Sequence, residues 1–99
     1  MTTNEFQKKC AQIVMDIDNK YGIERDLHLS FTQLIEEVGE LAKELNLPRL
    51  RSEERDKENL KGEFADVIIQ LSILANMLGV DFEDAGNSKI TILKERHKL

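Results

Sequence analysis

The sequence predicts an all-α protein organised as a four-helix bundle. Apolar residues recur at helical spacing along nearly the whole chain, and the alternation typical of a half-buried strand is almost absent. Only one proline, Pro48, interrupts this pattern. Four helices joined by short connections favour a bundle, and 99 residues make one domain rather than two. A single domain is therefore expected over residues 1–99.

A few residues set the expected helix boundaries. Gly22 and Gly79 end the first and third helices, and Ser30 with Gln33 has the spacing of a capping box at the start of the second. Pro48 stops the second helix, and a charged connection follows it. The predicted helices are about Thr3–Tyr21, Ser30–Leu45, Lys57–Leu78 and a last helix that is capped by Asp81.

The third predicted helix carries apolar residues on two sides. Its main stripe runs from Leu60 to Leu78, and Ile69 and Ile73 lie roughly opposite that stripe at about 100° per residue. A helix that is apolar on two sides is usually covered on both. We expect a second subunit to cover the face with Ile69 and Ile73. A central position of this helix within its own bundle is the alternative.

Composition argues against several classes of protein. A net charge of −5 disfavours a nucleic-acid-binding domain, because phosphate backbones select basic faces. Cys10 is the only cysteine, so no internal disulfide is expected. The first residues do not resemble a signal peptide, and no run approaches the ~18 apolar residues of a membrane span. The expectation is a soluble, cytoplasmic protein that binds neither nucleic acid nor a membrane.

Two pairs of carboxylates mark the candidate site. Glu37 and Glu40 on the second predicted helix are three residues apart, as are Glu63 and Asp66 on the third. Residues at this spacing are neighbours on a helix surface. Both pairs border the apolar stripe of their helix on the same side, and residues 34–41 and 60–67 superimpose with a shift of 26 residues. If the two stripes pack antiparallel, all four acids converge at one seam.

Four carboxylates at one seam need a counter-charge. A divalent cation supplies it, and all-oxygen ligands suit Mg²⁺, with Mn²⁺ or Ca²⁺ as alternatives. Because Mg²⁺ readily takes phosphate oxygens as further ligands, the pattern points to a phosphorylated substrate. One acidic pair alone is most often a solvated helix face. The matched phase of two pairs is what favours a site.

Gly39 and Glu36 lie beside these acids in the sequence, and each carries an expectation of its own. Gly39 lies inside a helix, where glycine costs about 1 kcal/mol relative to alanine, so we expect close approach of another helix or of a ligand there. Glu36 points about 160° away from the centre of the apolar stripe. It is expected to face solvent.

The two acidic motifs together resemble those of the MazG-like all-α nucleoside triphosphate pyrophosphohydrolases. They occupy residues 36–40 (EEVGE) and 63–66 (EFAD), and the family pattern is an EExxE helix followed by an ExxD helix. Relatives include dCTP pyrophosphatases and dimeric dUTPases. The resemblance covers most of the chain, from about Ser30 to Arg96.

The resemblance implies a Mg²⁺-dependent enzyme that hydrolyses (deoxy)nucleoside triphosphates to monophosphate and pyrophosphate, in nucleotide-pool housekeeping. It implies that the metal ligands and catalytic acids are Glu37, Glu40, Glu63 and Asp66. It also implies a homodimer or homotetramer whose active site lies near a subunit interface.

The family's last helix often brings a Lys, an Asn and an Arg to the substrate. Lys89 and Arg96 stand at the Lys and Arg places, whereas Leu93 replaces the Asn. A solvated basic C-terminus explains Lys89 and Arg96 equally well. Gln70 stands where some relatives carry a tyrosine, and Lys61 is a further candidate for substrate binding. The chain has no tryptophan, although some relatives grip the base with one, so several bases are expected to be accepted.

Two other functions fit part of the pattern. A carboxylate-bridged di-iron bundle needs Glu-x-x-His on two helices, and neither His28 nor His97 stands three residues after a candidate acid. A non-catalytic dimerisation or regulatory module would explain the second apolar face of the third helix. It would leave the matched acid pairs unexplained.

Overall fold

The computed structural model describes residues 1–99 and confirms the all-α class. The chain is 80% helical and contains no strand. Five helices replace the four that were predicted, because the connection between the second and third predicted helices contains one short helix of its own. The helices are α1 (Thr3–Tyr21), α2 (Leu27–Leu45), α3 (Leu47–Leu50), α4 (Lys57–Met77) and α5 (Phe82–His97).

The start of α2 corrects the prediction of a capping box at Ser30. Asp26 caps the helix, and its carboxylate accepts a hydrogen bond from the backbone N–H of Leu29 at 2.8 Å. Ser30 lies one turn inside the helix and is completely buried. Its hydroxyl accepts from Arg25 at 3.1 Å and lies 3.2 Å from the sulfur of Met77. Ser30 therefore serves tertiary packing, and Asp26 supplies the local cap.

The remaining boundaries follow the predicted signals closely. Gly22 ends α1 in the left-handed conformation, with φ of 65°, and Asp81 caps α5 by accepting from the N–H of Asp84. Pro48 was expected only to stop the preceding helix. It lies in the first turn of α3, where proline is well tolerated because the N–H groups there have no partner within the helix.

Helix α4 is the centre of the fold, and it packs against both α1 and α2. Helices α2 and α4 run antiparallel, because Ser30 near the start of α2 meets Met77 at the end of α4. Ile73 is buried against Ala11 and Val14 of α1, and Ile69 packs on the same cluster. The prediction that a second subunit covers Ile69 and Ile73 is therefore wrong. The central position of α4 explains this face.

Apolar side chains remain open on the opposite side of α2 and α4. Only nine of the 99 residues are buried, which is a small core. We call the open side the apolar face; its six residues are between 38% and 54% exposed. They are Phe31, Ile35 and Val38 on α2 and Phe64, Ile68 and Leu71 on α4. The main stripe predicted for the third helix thus faces outward at these positions.

Helix α5 extends away from the other helices. It contacts chiefly α1, where the side chain of Gln7 accepts from the N–H of Phe82 and donates to the carbonyl of Val80. The radius of gyration is 16.2 Å, larger than the ~13 Å typical of a compact 100-residue domain. No single helix is long and apolar enough to cross a membrane. Helices α4 and α5 are long and apolar enough only when taken together, and they are bent by 96° relative to each other.

Candidate active site

A row of polar side chains runs along the junction of α2 and α4. We call this row the polar seam. On α2 it repeats at intervals of three or four residues, and on α4 it continues in the opposite direction. Its members are Gln33, Glu37, Glu40 and Glu44 on α2 and Glu63, Asp66 and Gln70 on α4. Because the two helices are antiparallel, the carboxylates occupy the middle of the seam and the two glutamines lie together at one end.

The structure brings three of the four predicted acids together. Ligand oxygens of Glu37, Glu63 and Asp66 all lie within 4.8 Å of one another. Glu37 and Glu63 are half-buried, and Asp66 is exposed. Two helices thus bring three carboxylates close enough to share one cation, and oxygen ligands are those that hard divalent cations prefer.

Glu40 lies outside this group of three but acts on it through its charge. The carboxylate of Glu40 contributes to raising the pKa of both Glu37 and Glu63. Glu36 is exposed, as expected for a residue that points to solvent. Apart from the neighbouring backbone of α2 itself, no atom of the chain lies within 4 Å of the position that a Cβ on Gly39 would take. The close approach expected at Gly39 is therefore not made within one chain.

Burial and mutual repulsion raise the pKa of two acids in the group. Desolvation is the largest cause for Glu37, followed by the negative charges of Asp66 and Glu63. Desolvation also leads for Glu63, and Asp66 again adds the largest repulsion. Lys43 acts in the opposite direction on Glu63 but does not cancel the rise in its pKa. The charged forms of both acids are thus poorly compensated by the protein alone.

Unpaired polar atoms concentrate along the same seam. Five buried side-chain oxygens in the chain have no hydrogen-bond partner, and four of them belong to the polar seam. These four are Gln33 Oε1, Glu44 Oε1, Glu63 Oε2 and Gln70 Oε1; the fifth is Asn4 Oδ1. An unpaired buried acceptor typically costs about 1–3 kcal/mol. The seam therefore contains acceptors that a cation or a donor group could satisfy.

A cavity of about 240 Å³ adjoins the carboxylates. Asp66 lines it on one side, and Gln33 and Gln70 supply further polar groups. Ile17 of α1 and Ile69 of α4 contribute to an apolar wall. The cavity thus joins an apolar surface, two amides and one member of the carboxylate group.

The predicted substrate-binding residues are divided by the structure. Gln70 lines the cavity. Lys61, Lys89 and Arg96 are exposed and belong neither to the carboxylate group nor to the cavity. His28 and His97 are also outside the carboxylate group. The carboxylate group therefore contains no histidine of the kind that binds iron in di-iron bundles.

Sequence reasoning missed three residues near the site. Gln33 had been assigned to a capping box, although it lies four residues before Glu37 on the same helix face. Glu44 continues that spacing on the other side, four residues after Glu40. Arg25 lines the cavity with Asp18, and no periodic signal could have indicated this contact because Arg25 lies between two helices.

Comparison with protein-family models identifies the family of this chain. The model of the MazG nucleotide pyrophosphohydrolase domain matches residues 26–99. The chain belongs to this family. The matched region of the MazG domain begins at Asp26, the cap of α2, and contains the whole polar seam. Helix α1, which supplies part of the cavity wall, precedes it. Comparisons with curated proteins and with solved structures gave no match.

The carboxylate group fits the metal dependence that is general in MazG domains. The donors are all oxygen, as hard divalent cations prefer. Glu63 Oε2 is buried without a partner, and the raised pKa of Glu37 and Glu63 reports uncompensated negative charge. A cation at this point would satisfy both conditions.

Proposed function

We propose that this MazG domain hydrolyses (deoxy)nucleoside triphosphates to nucleoside monophosphate and pyrophosphate, with Mg²⁺ as its metal and Mn²⁺ as a substitute. We also propose that residues 1–99 act as a single domain and serve nucleotide-pool housekeeping. The observation that carries the proposal is the meeting of Glu37, Glu63 and Asp66 within 4.8 Å, in a chain of a nucleotide pyrophosphohydrolase family.

Each acid of the centre has a proposed role. Glu37, Glu63 and Asp66 hold the cation between α2 and α4. We assign Glu40 to the same centre because its charge already acts on two of these acids. When bound, Mg²⁺ neutralises phosphate charge and polarises the P–O bond that breaks. A carboxylate of the centre orients the attacking water and accepts its proton.

We further propose that the protein is a homo-oligomer, a dimer or a tetramer. The apolar face on α2 and α4 supports this proposal, because six adjacent large apolar residues are open to solvent in one chain. Lys89 and Arg96 on α5 remain predicted contacts to the substrate. Neither residue belongs to the carboxylate group of its own chain. In an oligomer, both could instead contact a substrate that is bound at the carboxylate group of a second copy.

Pyrophosphate release tests the activity directly. We expect release to require Mg²⁺ and to fall by at least about 100-fold in Asp66→Asn and in Glu40→Gln. Glu58→Gln is the matched control, since Glu58 is an exposed acid in the first turn of α4 and lies outside the polar seam. If Asp66→Asn and Glu40→Gln both stay folded and hydrolyse every nucleotide at the original rate, the assignment of these acids is wrong.

Thermal melting separates the enzyme from a non-catalytic dimerisation module. A non-hydrolysable triphosphate with Mg²⁺ should stabilise a pyrophosphohydrolase by mass action, by about 2.7 kcal/mol at 100 times the Kd. A dimerisation module should show no response. An unchanged melting temperature at millimolar ligand and Mg²⁺ would favour the module.

A further inference from the structure

We infer that α1 carries a second surface for self-association, on which a second copy of the chain packs antiparallel to the first across a two-fold axis. We call this surface the α1 stripe; it consists of Phe6, Cys10, Ile13 and Ile17. The α1 stripe lies outside the apolar face of α2 and α4, and it precedes the region that the MazG model matches. The inference therefore goes beyond the proposed function and does not depend on it.

The α1 stripe borders an open groove of about 480 Å³. Phe6, Ile13 and Ile17 are each between 42% and 47% exposed, although all three are large and apolar. The groove combines apolar and charged side chains; its lining includes Phe6, Lys9, Cys10, Ile13, Asp16 and, from α4, Ile69. Three half-exposed apolar side chains on one face of a helix indicate a surface that another element covers.

The chain's own α5 does not begin on this side of α1. The connection between α4 and α5 reaches the opposite flank, where Lys8 lines a small cavity with Gly79 and Asp81. Lys8 is about 160° from Phe6 around the helix, at about 100° per residue. The fold of one chain therefore leaves the α1 stripe open.

The spacing of the α1 stripe is that of a coiled-coil seam. Its four residues are separated by four, three and four positions, and this order reads the same in both directions. When two copies of α1 pack antiparallel, Phe6 of each copy meets Ile17 of the other, and Cys10 meets Ile13. One helix face can thus bind an identical face, as a two-fold interface requires.

Two charged residues beside the α1 stripe favour a second copy in this antiparallel arrangement. Lys9 and Asp16 each directly precede a member of the stripe, at the flanking position whose charge sets orientation in coiled coils. Within the chain neither forms an ion pair, and Asp16 accepts only from Gln12. Antiparallel packing brings each Lys9 next to Asp16 of the other copy, so two ion pairs form. Parallel packing instead sets Lys9 beside Lys9 of the other copy.

This contact should be weaker than a standard protein interface. Helix α1 has 19 residues, so it is about 28 Å long. We expect two helices of this length to bury less than the ~1,600 Å² of a standard interface. The dimer should therefore form at high protein concentration and dissociate on the dilution that gel filtration imposes.

Sedimentation equilibrium tests this contact in Ile68→Lys, a variant that introduces a charge into the apolar face. We expect a reversible monomer–dimer equilibrium as the concentration rises. Lys9→Glu and Asp16→Lys, each added to this variant, should weaken the dimer about tenfold, because each replaces two attractions by two repulsions. Combining both reversals should restore the affinity, since opposite charges then face each other again. Lys8→Glu is the matched control on the opposite flank of α1 and should leave the affinity unchanged.

Two outcomes of this experiment contradict the inference. One is a monomer at every concentration in Ile68→Lys, which would mean that no second copy covers the α1 stripe. The other is a combined variant, with Lys9→Glu and Asp16→Lys together, that binds as weakly as the single reversals. Loss of folding would not restore affinity in the combined variant, so the recovery is specific to facing charges.

Crosslinking in the otherwise native chain tests the same register without Ile68→Lys. A short bismaleimide should join Lys9→Cys mixed with Asp16→Cys into a dimer, at a yield several-fold above that of either variant alone. The native Cys10 is buried and is present in every sample. Neither measurement uses a nucleotide, so the outcome is independent of the proposed activity. If Lys9→Cys alone is linked at the same yield as the mixture, the antiparallel arrangement is wrong.

Discussion

Arg25 and Asp18 form a bidentate ion pair that ties the segment before α2 to the last turn of α1. Arg25 Nε donates to Asp18 Oδ2 at 2.6 Å, and Arg25 Nη2 donates to Asp18 Oδ1 at 3.1 Å. Each side chain is only 9% exposed. A third donor, Nη1, reaches the buried hydroxyl of Ser30. This pair fixes one wall of the cavity beside the carboxylates.

Breaking this pair should be costly. Asp18→Asn leaves a buried guanidinium without its counter-charge, and we expect the free energy of unfolding to fall by about 3 kcal/mol in urea denaturation. Asp16→Asn is the matched control, since Asp16 is an exposed acid on the same helix that accepts from Gln12. It should cost less than about 1 kcal/mol. Equal losses in the two variants would show that the Arg25 pair contributes no more than a surface contact.

Replacing the glycines inside α2 and α4 should stabilise the protein. A Cβ on Gly39 or Gly62 would meet nothing within 4 Å, and both residues are helical. We expect Gly39→Ala and Gly62→Ala each to raise the free energy of unfolding by about 0.5–1 kcal/mol, measured by chemical denaturation. A loss in Gly39→Ala alone would contradict this account. It would instead support the sequence-based expectation of a close approach at Gly39.

The metal-free protein should lose stability as the pH rises above the ordinary range of glutamate. Burial and nearby acids raise the pKa of Glu37 and Glu63 from 4.5, so the folded state binds more protons than the unfolded state above that pH. Their contribution is fully present below pH 4.5 and is lost as the pH rises through the raised values. Denaturation midpoints from pH 4 to 8, in the presence of a chelator, measure this effect.

Glu37→Gln provides the control for that pH dependence. The variant removes one of the two repelled acids, so it should be more stable than the wild type at pH 7 without metal and show a smaller fall from pH 4 to 8. Saturating Mg²⁺ should reverse the order, because the wild type gains binding energy. If the free energy of unfolding changes between pH 4 and 8 by the same amount in the wild type and in Glu37→Gln, Glu37 is not repelled by its neighbouring acids.

We expect copies of the chain to associate through the apolar face. Ile68→Lys places a charge in its middle and should convert the oligomer to a monomer in light scattering coupled to gel filtration. Ile92→Lys is the matched control, because Ile92 on α5 is similarly exposed and lies outside the apolar face. A monomeric wild type, or an oligomer that persists in Ile68→Lys, would exclude this face as the interface.

The fold and the carboxylate group were predictable where the signal is local. Helix limits follow from caps such as Asp81 and Gly22, and the acid row follows from spacing within each helix. The buried face of α4 was not predictable in this way. Ile73 is buried because α1 packs on it, and that contact joins residues far apart in the chain. Spacing alone showed two apolar sides without showing which one α1 covers.

Ser30 and Gln33 show how one local pattern can have two explanations. Their spacing fits a capping box, but Asp26 provides the cap and both side chains serve longer-range roles. Arg25 reaches Asp18 and Ser30 through a turn whose path the sequence does not specify. The cavity therefore emerges only from the packing of α1, α2 and α4.

Binding of Mn²⁺ to the carboxylate group tests the central claim most directly. Electron paramagnetic resonance titration of the free ion should show saturable binding to the wild-type protein. Binding should weaken by at least about tenfold in Glu63→Gln, because this change replaces a charged carboxylate of the group of three with a neutral amide. Glu58→Gln should bind as the wild type does. Equal affinity of Glu63→Gln and wild type, or no binding by either, would contradict the account.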